Sequence, residues 1–239
     1  MTENSRICEI IKREKRRRAL QHDTLCDCDF AHDNGENPRA SRFAKNYADH
    51  FEQFGAQGAG LFLYGASGAG KTFLAAAIIN ELTDRGYRCL YTSMLSIMNT
   101  LPTLSYETRY YFINQFSNVQ LLVLDDFGIE TETSYSSNVL NGIVSACFRK
   151  HIPIIAITPF PKDALLKEGS DSKRNVAVKR LRERCLDFTV LMPASRSTEK
   201  FRQKKETEDM LKDGTEPKQG TLPLDKNDEK ETKDTCRKN

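Results

Sequence analysis

Two short segments carry the residues whose types and spacing suit chemistry. The first is Gly65, Ala66, Ser67, Gly68, Ala69, Gly70, Lys71 and Thr72. It follows the apolar run Leu61–Tyr64 and precedes Leu74, Ile78 and Leu82, which recur every four residues as one face of a helix. A glycine-rich turn between a strand and a helix lets successive backbone N–H groups point at one anion, and the helix N-terminus adds partial positive charge. Lys71 then reaches the β- and γ-phosphates of a nucleotide, and Thr72 supplies a hydroxyl to Mg²⁺. The second segment is Leu121 to Gly128, LLVLDDFG, an apolar run that ends in two acids. Asp125 is suited to the Mg²⁺ shell, through water, and Asp126 to orienting or polarising an attacking water. Together they predict a site for ATP and Mg²⁺. A guanine-reading Asn-Lys-x-Asp segment is absent, as is the Leu-Ser-Gly-Gly-Gln signature of transporter ATPases.

Strands and helices must alternate to hold such a site. The apolar runs predict strands at Leu61–Tyr64, Cys89–Thr92, Leu121–Asp125, Pro153–Ile157 and Phe188–Leu191. Helical patterns fall at 39–54, 71–85, 105–116, 134–149 and 173–186. Strands separated by helices imply a parallel sheet covered on both faces, and the unbroken apolar character of LLVLD suits a central strand.

The 239 residues carry 36 Lys+Arg against 33 Asp+Glu, a formal charge of +3, too small to imply nucleic-acid binding by itself. The length suits one domain with extensions, large enough for a core without disulfides. Seven cysteines at irregular spacing read as reduced thiols in a cytosol. No secretory signal is expected, because no apolar stretch follows the basic residues of the first twenty. No run of about 18 apolar residues exists, so no membrane span or membrane partner is expected. Residues 1–37 read as a short basic leader, with consecutive Arg16, Arg17 and Arg18, before a core at 38–196. Residues 197–239 read as a disordered tail; from 199 onward eleven basic and eleven acidic side chains cancel, and too little apolar surface offsets the cost of ordering.

The lead-in FAHDNGENPRASRFAKNYADHFEQF, then GLFLYGASGAGKTFLAAAIINELTDRGYRCLYTS, LLVLDDFGIE and RLRERC resemble the DnaC-like and IstB-like helicase-loader ATPases of the AAA+ superfamily. The resemblance runs from about residue 28 to 197. It implies a P-loop AAA+ type three-layer α/β fold with a central parallel sheet. Since only the polar tail follows the last strand, no full C-terminal helical lid is expected. It implies ATP hydrolysis and work beside a hexameric replicative helicase in DNA replication, with self-association or assembly on that helicase. An ATP-gated adaptor with negligible hydrolysis and an ATP-dependent transposition helper are the alternatives.

The resemblance also places an arginine finger at Arg180, with Arg182 and Arg184 as near alternatives, acting on a neighbouring subunit's ATP. Thr158 stands where the family shows Thr-Asn, but Pro159 takes the Asn position and has no side-chain donor, which predicts slow hydrolysis. Val176 occupies a position where the family has arginine.

Three further features lie outside that pattern. His22, Cys26, Cys28 and His32 have the types and number for one Zn²⁺, with a C-x-C spacing tighter than usual. Ile7, Ile10, Ile11 and Leu20 with Lys12–Arg18 suit an amphipathic helix that docks on the helicase. Single-stranded DNA is a candidate partner of the leader and of Lys173, Arg174, Lys179, Arg182 and Arg184. In the tail, KQGTLPLD offers Gln219, Leu222, Pro223 and Leu224 and resembles peptides that dock on a replication sliding clamp, with Gly220 as a departure.

Overall fold

The structure is a computed structural model that describes residues 3–129, 133–165 and 173–193, with Arg196 and Arg202 beyond them. Residues Met1–Pro193 form one compact unit and Ala194–Asn239 a second. The clamp-like segment, and with it the questions of a disordered tail and of a lid, lies outside the described residues.

Five parallel strands build the sheet: β1 (Gly60–Tyr64), β2 (Cys89–Ser93), β3 (Leu121–Asp125), β4 (Ile154–Thr158) and β5 (Cys185–Thr189), in the order β2-β3-β4-β1-β5. The strand of the glycine-rich loop is thereby set apart from the strand of the paired acids by one strand, β4. Registers Leu61↔Ile155 and Val123↔Ile155 align the three centrally. Every residue of β1, β3 and β4 is buried, as their unbroken apolar runs require of strands covered on both sides.

The helices are α1 (Glu3–Leu20), α2 (Pro38–Asp49), α3 (Phe51–Gln57), α4 (Lys71–Asp84), α5 (Met94–Thr100), α6 (Tyr106–Gln115), α7 (Ser134–Arg149) and α8 (Lys173–Arg184). Alternation along the strands divides the core in two. Leu61, Leu63, Val123 and Ile155 pack under α2 and α4, and Phe62, Leu122, Leu124 and Ala156 under α5, α7 and α8. This is the expected three-layer α/β arrangement.

Local chemistry explains the boundaries. Asn37 accepts from the Ala40 N–H and Pro38 opens α2. Thr133 and Ser136 form a reciprocal cap on α7. The helix expected over 39–54 divides at His50 into α2 and α3. The last strand begins at Cys185 rather than Phe188, directly after Arg184, so α8 ends two residues earlier than the pattern suggested. α5 went unpredicted, although Ser93 caps it by accepting from the Ser96 N–H.

Residues 3–37 pack on the core. Ala19, Leu20 and Cys26 are buried in it, while Ile7, Ile10 and Ile11 face outward. Arg16 fastens α1 by pairing with Asp84 and donating to the Cys26 carbonyl at 2.9 Å. Asn80 of α4 donates to the carbonyls of Leu25 at 2.9 Å and Cys28 at 2.7 Å, which secures the 3₁₀ turn Asp23–Asp27. Cys26 is therefore an unbridged thiol buried in the core. Among the described residues no helix is long and apolar enough to cross a membrane.

Candidate functional site: a phosphate loop and a paired acid

The loop from Gly65 to Gly70 joins β1 to α4 at the C-terminal end of the sheet. Gly65, Gly68 and Gly70 all have positive φ, at 145°, 82° and 96°. Gly65 has a second constraint: a Cβ there would lie 2.2 Å from the Val190 carbonyl oxygen. That carbonyl passes close because the Val190 N–H donates to the Tyr64 carbonyl at 2.7 Å, extending the β1–β5 ladder past Thr189. Ala66, Ser67 and Gly68 form the exposed crest and Ala69 tucks into the core. Gly70 is the N-cap of α4, and its carbonyl accepts from the Leu74 N–H at 3.0 Å.

Lys71 opens α4 and is only 7% exposed beneath the loop. Its ammonium donates to the carbonyls of Gly65 at 2.6 Å and Ala66 at 2.9 Å. The charge is thus held under the loop that would wrap a phosphate. Thr72, next on the helix, donates from its hydroxyl to Asp125 Oδ2 at 2.9 Å, joining residues 53 positions apart. Asp125 is 5% exposed and its Oδ1 accepts from the Asp126 N–H at 2.7 Å. Two hard oxygen donors, one hydroxyl and one carboxylate, of the kind Mg²⁺ takes, therefore meet beside Lys71. The residues fit the cation's preference for oxygen donors.

Asp126 is exposed and adopts φ of 54°, a left-handed conformation that aspartate tolerates better than most residues. The following Phe127 N–H donates to the Ile157 carbonyl at 2.7 Å, which fixes the acid where β3 and β4 end together. Partial burial pushes the Asp126 carboxyl up, and Asp125 adds to the rise; Lys71 pulls the other way by less. Thr158 ends β4, fully buried, and its hydroxyl oxygen accepts from the Phe160 N–H at 3.2 Å, closing the turn through Pro159. It lies opposite Tyr64, the residue before the loop.

Arg180 stands apart from this group. It lies on α8 against α7, bonded to Asn141 Oδ1 at 3.3 Å and to Ser145 Oγ. Arg182 donates to the Lys162 carbonyl, and Arg184 donates to the Phe148 carbonyl at 2.8 Å while lying 3.6 Å from that ring's centroid. All three arginines of the RLRERC segment thus have partners within the chain.

The zinc ligand set does not assemble among the described residues. Cys26 and Cys28 donate to the carbonyls of His22 and Thr24, and His32 pairs with Asp29 at 2.6 Å. Conversely, Tyr91 reaches the site without any motif to announce it: it donates to Asp125 Oδ2 at 2.5 Å. Only tertiary pairing of β2 with β3 reveals it.

A phosphate loop on one strand, an acid pair on the next strand but one, and a five-stranded parallel sheet define an AAA+ type P-loop nucleotide-binding core. The sequence pattern of the IstB-like ATP binding proteins matches residues 6–160. The chain belongs to that family. It is 37% identical over 98 residues to the replicative helicase loader DnaC of Escherichia coli K12, covering 40% of each chain. It is 32% identical over 136 residues to the replicative helicase loader DnaI of Bacillus subtilis 168, covering 54% of this chain and 44% of that one. The matches thus span less than half the length of these curated relatives. A crystal structure of the DnaC helicase loader superposes with a TM-score of 0.59 at 20% identity, covering 71% of this chain and 99% of that one. That likeness is one of fold.

Proposed function

We propose that the chain is an Mg²⁺-dependent ATPase that loads or regulates a hexameric replicative helicase. The observation that carries the nucleotide part is the 2.9 Å contact of Thr72 with Asp125, made beside a buried Lys71 under a glycine loop. The helicase part is supported by the two curated relatives, both named replicative helicase loaders.

Each residue has its own share of the work. The loop N–H groups and Lys71 hold the phosphates, and Thr72 and Asp125 hold the cation. Mg²⁺ held there would supply neutralisation of the negative charge on the nucleotide's phosphates. Asp126 in its ionised form orients the attacking water; as the water oxygen bonds to the γ-phosphorus and the bond to the leaving ADP oxygen breaks, the water proton passes to this carboxylate, whose proton affinity desolvation and Asp125 raise. Arg180, supplied by a neighbouring subunit, would neutralise charge on the transferred group once it leaves Asn141 and Ser145. Hydrolysis is slow, because Thr158 caps its own turn and Pro159 offers no side-chain donor. A slow clock of this kind suits a switch. The outward Ile7, Ile10 and Ile11 of α1 form the docking face for the helicase.

The test is a pull-down of the host's hexameric helicase by the full chain, with ATP, with ADP and with no nucleotide. Retention that depends on ATP, and is lost in Lys71→Ala, is expected. Equal ATP affinity of Lys71→Ala and wild type by calorimetry would remove the nucleotide site. ATP binding without helicase retention would leave the ATPase and remove the loader.

A further inference from the structure

We propose that Tyr91 positions the metal-facing carboxylate of Asp125, and that the N-terminal segment around His22 makes its seat. The proposal rests on the Mg²⁺–ATP reading of the site.

Tyr91 pairs in register with Val123, so it leaves the sheet on the same face as Asp125, two residues further along β3. Three donors converge on that carboxylate. Tyr91 and Thr72 both reach Oδ2, at 2.5 Å and 2.9 Å, and the Asp126 N–H reaches Oδ1 at 2.7 Å. The carboxylate is thereby fixed in rotation. The three donors differ in what else they do. A Thr72 that ligates a cation through an oxygen lone pair can still donate its hydrogen to Asp125, but its position then answers to the metal as well as to the carboxylate. Tyr91 serves the carboxylate alone, since its side chain is buried and its hydroxyl meets only Asp125 among the described residues. A dedicated donor behind a metal ligand sets the orientation in which the metal finds it.

The ring of Tyr91 has an unexpected neighbour. The His22 imidazole meets it edge-on, with centroids 6.0 Å apart and planes at 86°. His22 joins α1 to the 3₁₀ turn Asp23–Asp27, the turn that Asn80 ties to α4. α4 is the helix that carries Lys71 and Thr72 at its first turn. The N-terminal segment therefore reaches the site through Tyr91 to Asp125, and Asn80 ties it to the body of the helix whose first turn carries Lys71 and Thr72. A partner that lifts residues 22–28 off the core unseats Tyr91, and the grip on the metal loosens.

Calorimetry with a non-hydrolysable ATP analogue tests this on the full chain, once in excess Mg²⁺ and once in EDTA. Tyr91→Phe keeps the ring and removes the hydroxyl. Its affinity in Mg²⁺ is expected to fall about ten- to a hundredfold, the usual cost of an outer-shell partner. Its affinity in EDTA should stay within about twofold of wild type, near the resolution of such affinity comparisons. His22→Ala, an exposed position that leaves the hydroxyl in place, should shift the Mg²⁺ arm in the same direction and spare the EDTA arm. Equal losses in both arms for Tyr91→Phe, or no loss in either, would overturn the positioning role. If Tyr91→Phe fails to fold, an unchanged Mg²⁺ dependence in His22→Ala overturns the coupling by itself. A wild-type chain with no ATP affinity in either buffer would overturn the nucleotide reading instead.

Discussion

Gly65→Ala should both destabilise the protein and remove nucleotide binding, because one methyl group cannot be placed without moving backbone. The added Cβ would sit 2.2 Å from the Val190 carbonyl oxygen, more than an ångström inside ordinary contact, and the φ of 145° already lies outside the range of most side chains. The neighbour is main chain, so it cannot rotate away. Relief requires parting β5 from the loop and giving up the hydrogen bond from Val190 to Tyr64. The lost bond costs about 1 kcal/mol. The strained residue adds about 1–3 kcal/mol. Each 1 kcal/mol shifts Tm by roughly 2–4 °C at this size, so a loss of about 2–4 kcal/mol lowers it by roughly 4–16 °C. Gly86→Ala is the control: its φ of 94° is also positive, but nothing lies within 4 Å of the new Cβ. It should cost about 1–2 kcal/mol, the left-handed penalty alone, and leave ATP affinity unchanged. Thermal melts and calorimetry on the two variants decide the matter. A Gly65→Ala protein that melts no lower than Gly86→Ala and binds ATP like wild type would refute the described packing of β5 against the loop.

Asp126→Asn should slow turnover, leave ATP binding largely intact, and raise Tm at neutral pH. The carboxyl is held above its ordinary value of 3.8 by burial and by Asp125, so the ionised form costs stability once pH passes the raised value. The variant's advantage should shrink as pH falls toward 3.8, and a pH series of melts that shows no such closing would contradict the cause. Arg180→Ala should lower turnover, by less than the roughly 10³–10⁵ of a fully operating finger. Mixing it with Lys71→Ala should restore activity, because each protein supplies what the other lacks; no rescue at any ratio would exclude a shared site. Cys89, Cys147 and Cys185, pushed up to about 12 by burial, should stay unmodified by a thiol reagent in the folded protein while exposed Cys8 reacts. Mass mapping of the modified thiols before and after unfolding checks the order.

The central site was legible because each of its parts is local. Gly65 to Thr72 lie in one turn, and Leu121 to Asp126 in one strand and its end, so residue type and order sufficed. The sheet edges were less legible. β5 is half exposed, with Leu186 and Asp187 facing out, and its mixed pattern hid the true start at Cys185. The single helix expected over 39–54 breaks at His50, where the ring bonds the Asn46 carbonyl at 2.9 Å, and no proline or glycine announces it. Met94 and Ile97 of α5, with Leu101 just past its end, are buried at the i, i+3, i+7 spacing of one helical face. Tyr91 was beyond reach: it meets Asp125 across 34 residues, through a strand pairing that no spacing along the chain expresses. The leader showed its basic face plainly, but its anchoring by Asn80 and Arg16 depends on α4 being in place.

The junction of α8 with β5 has a mechanical meaning. Arg184 ends the helix and Cys185 begins the strand, with no connecting loop to absorb movement. β5 then runs beside β1 in register from Gly60 to Tyr64, and just past its end the Val190 carbonyl rests against Gly65. Arg180 and the phosphate loop are thus the two ends of one stiff lever. Were Arg180 to serve a neighbouring subunit as proposed, a pull on the arginine would be carried through β5 to the loop of the chain that lent it.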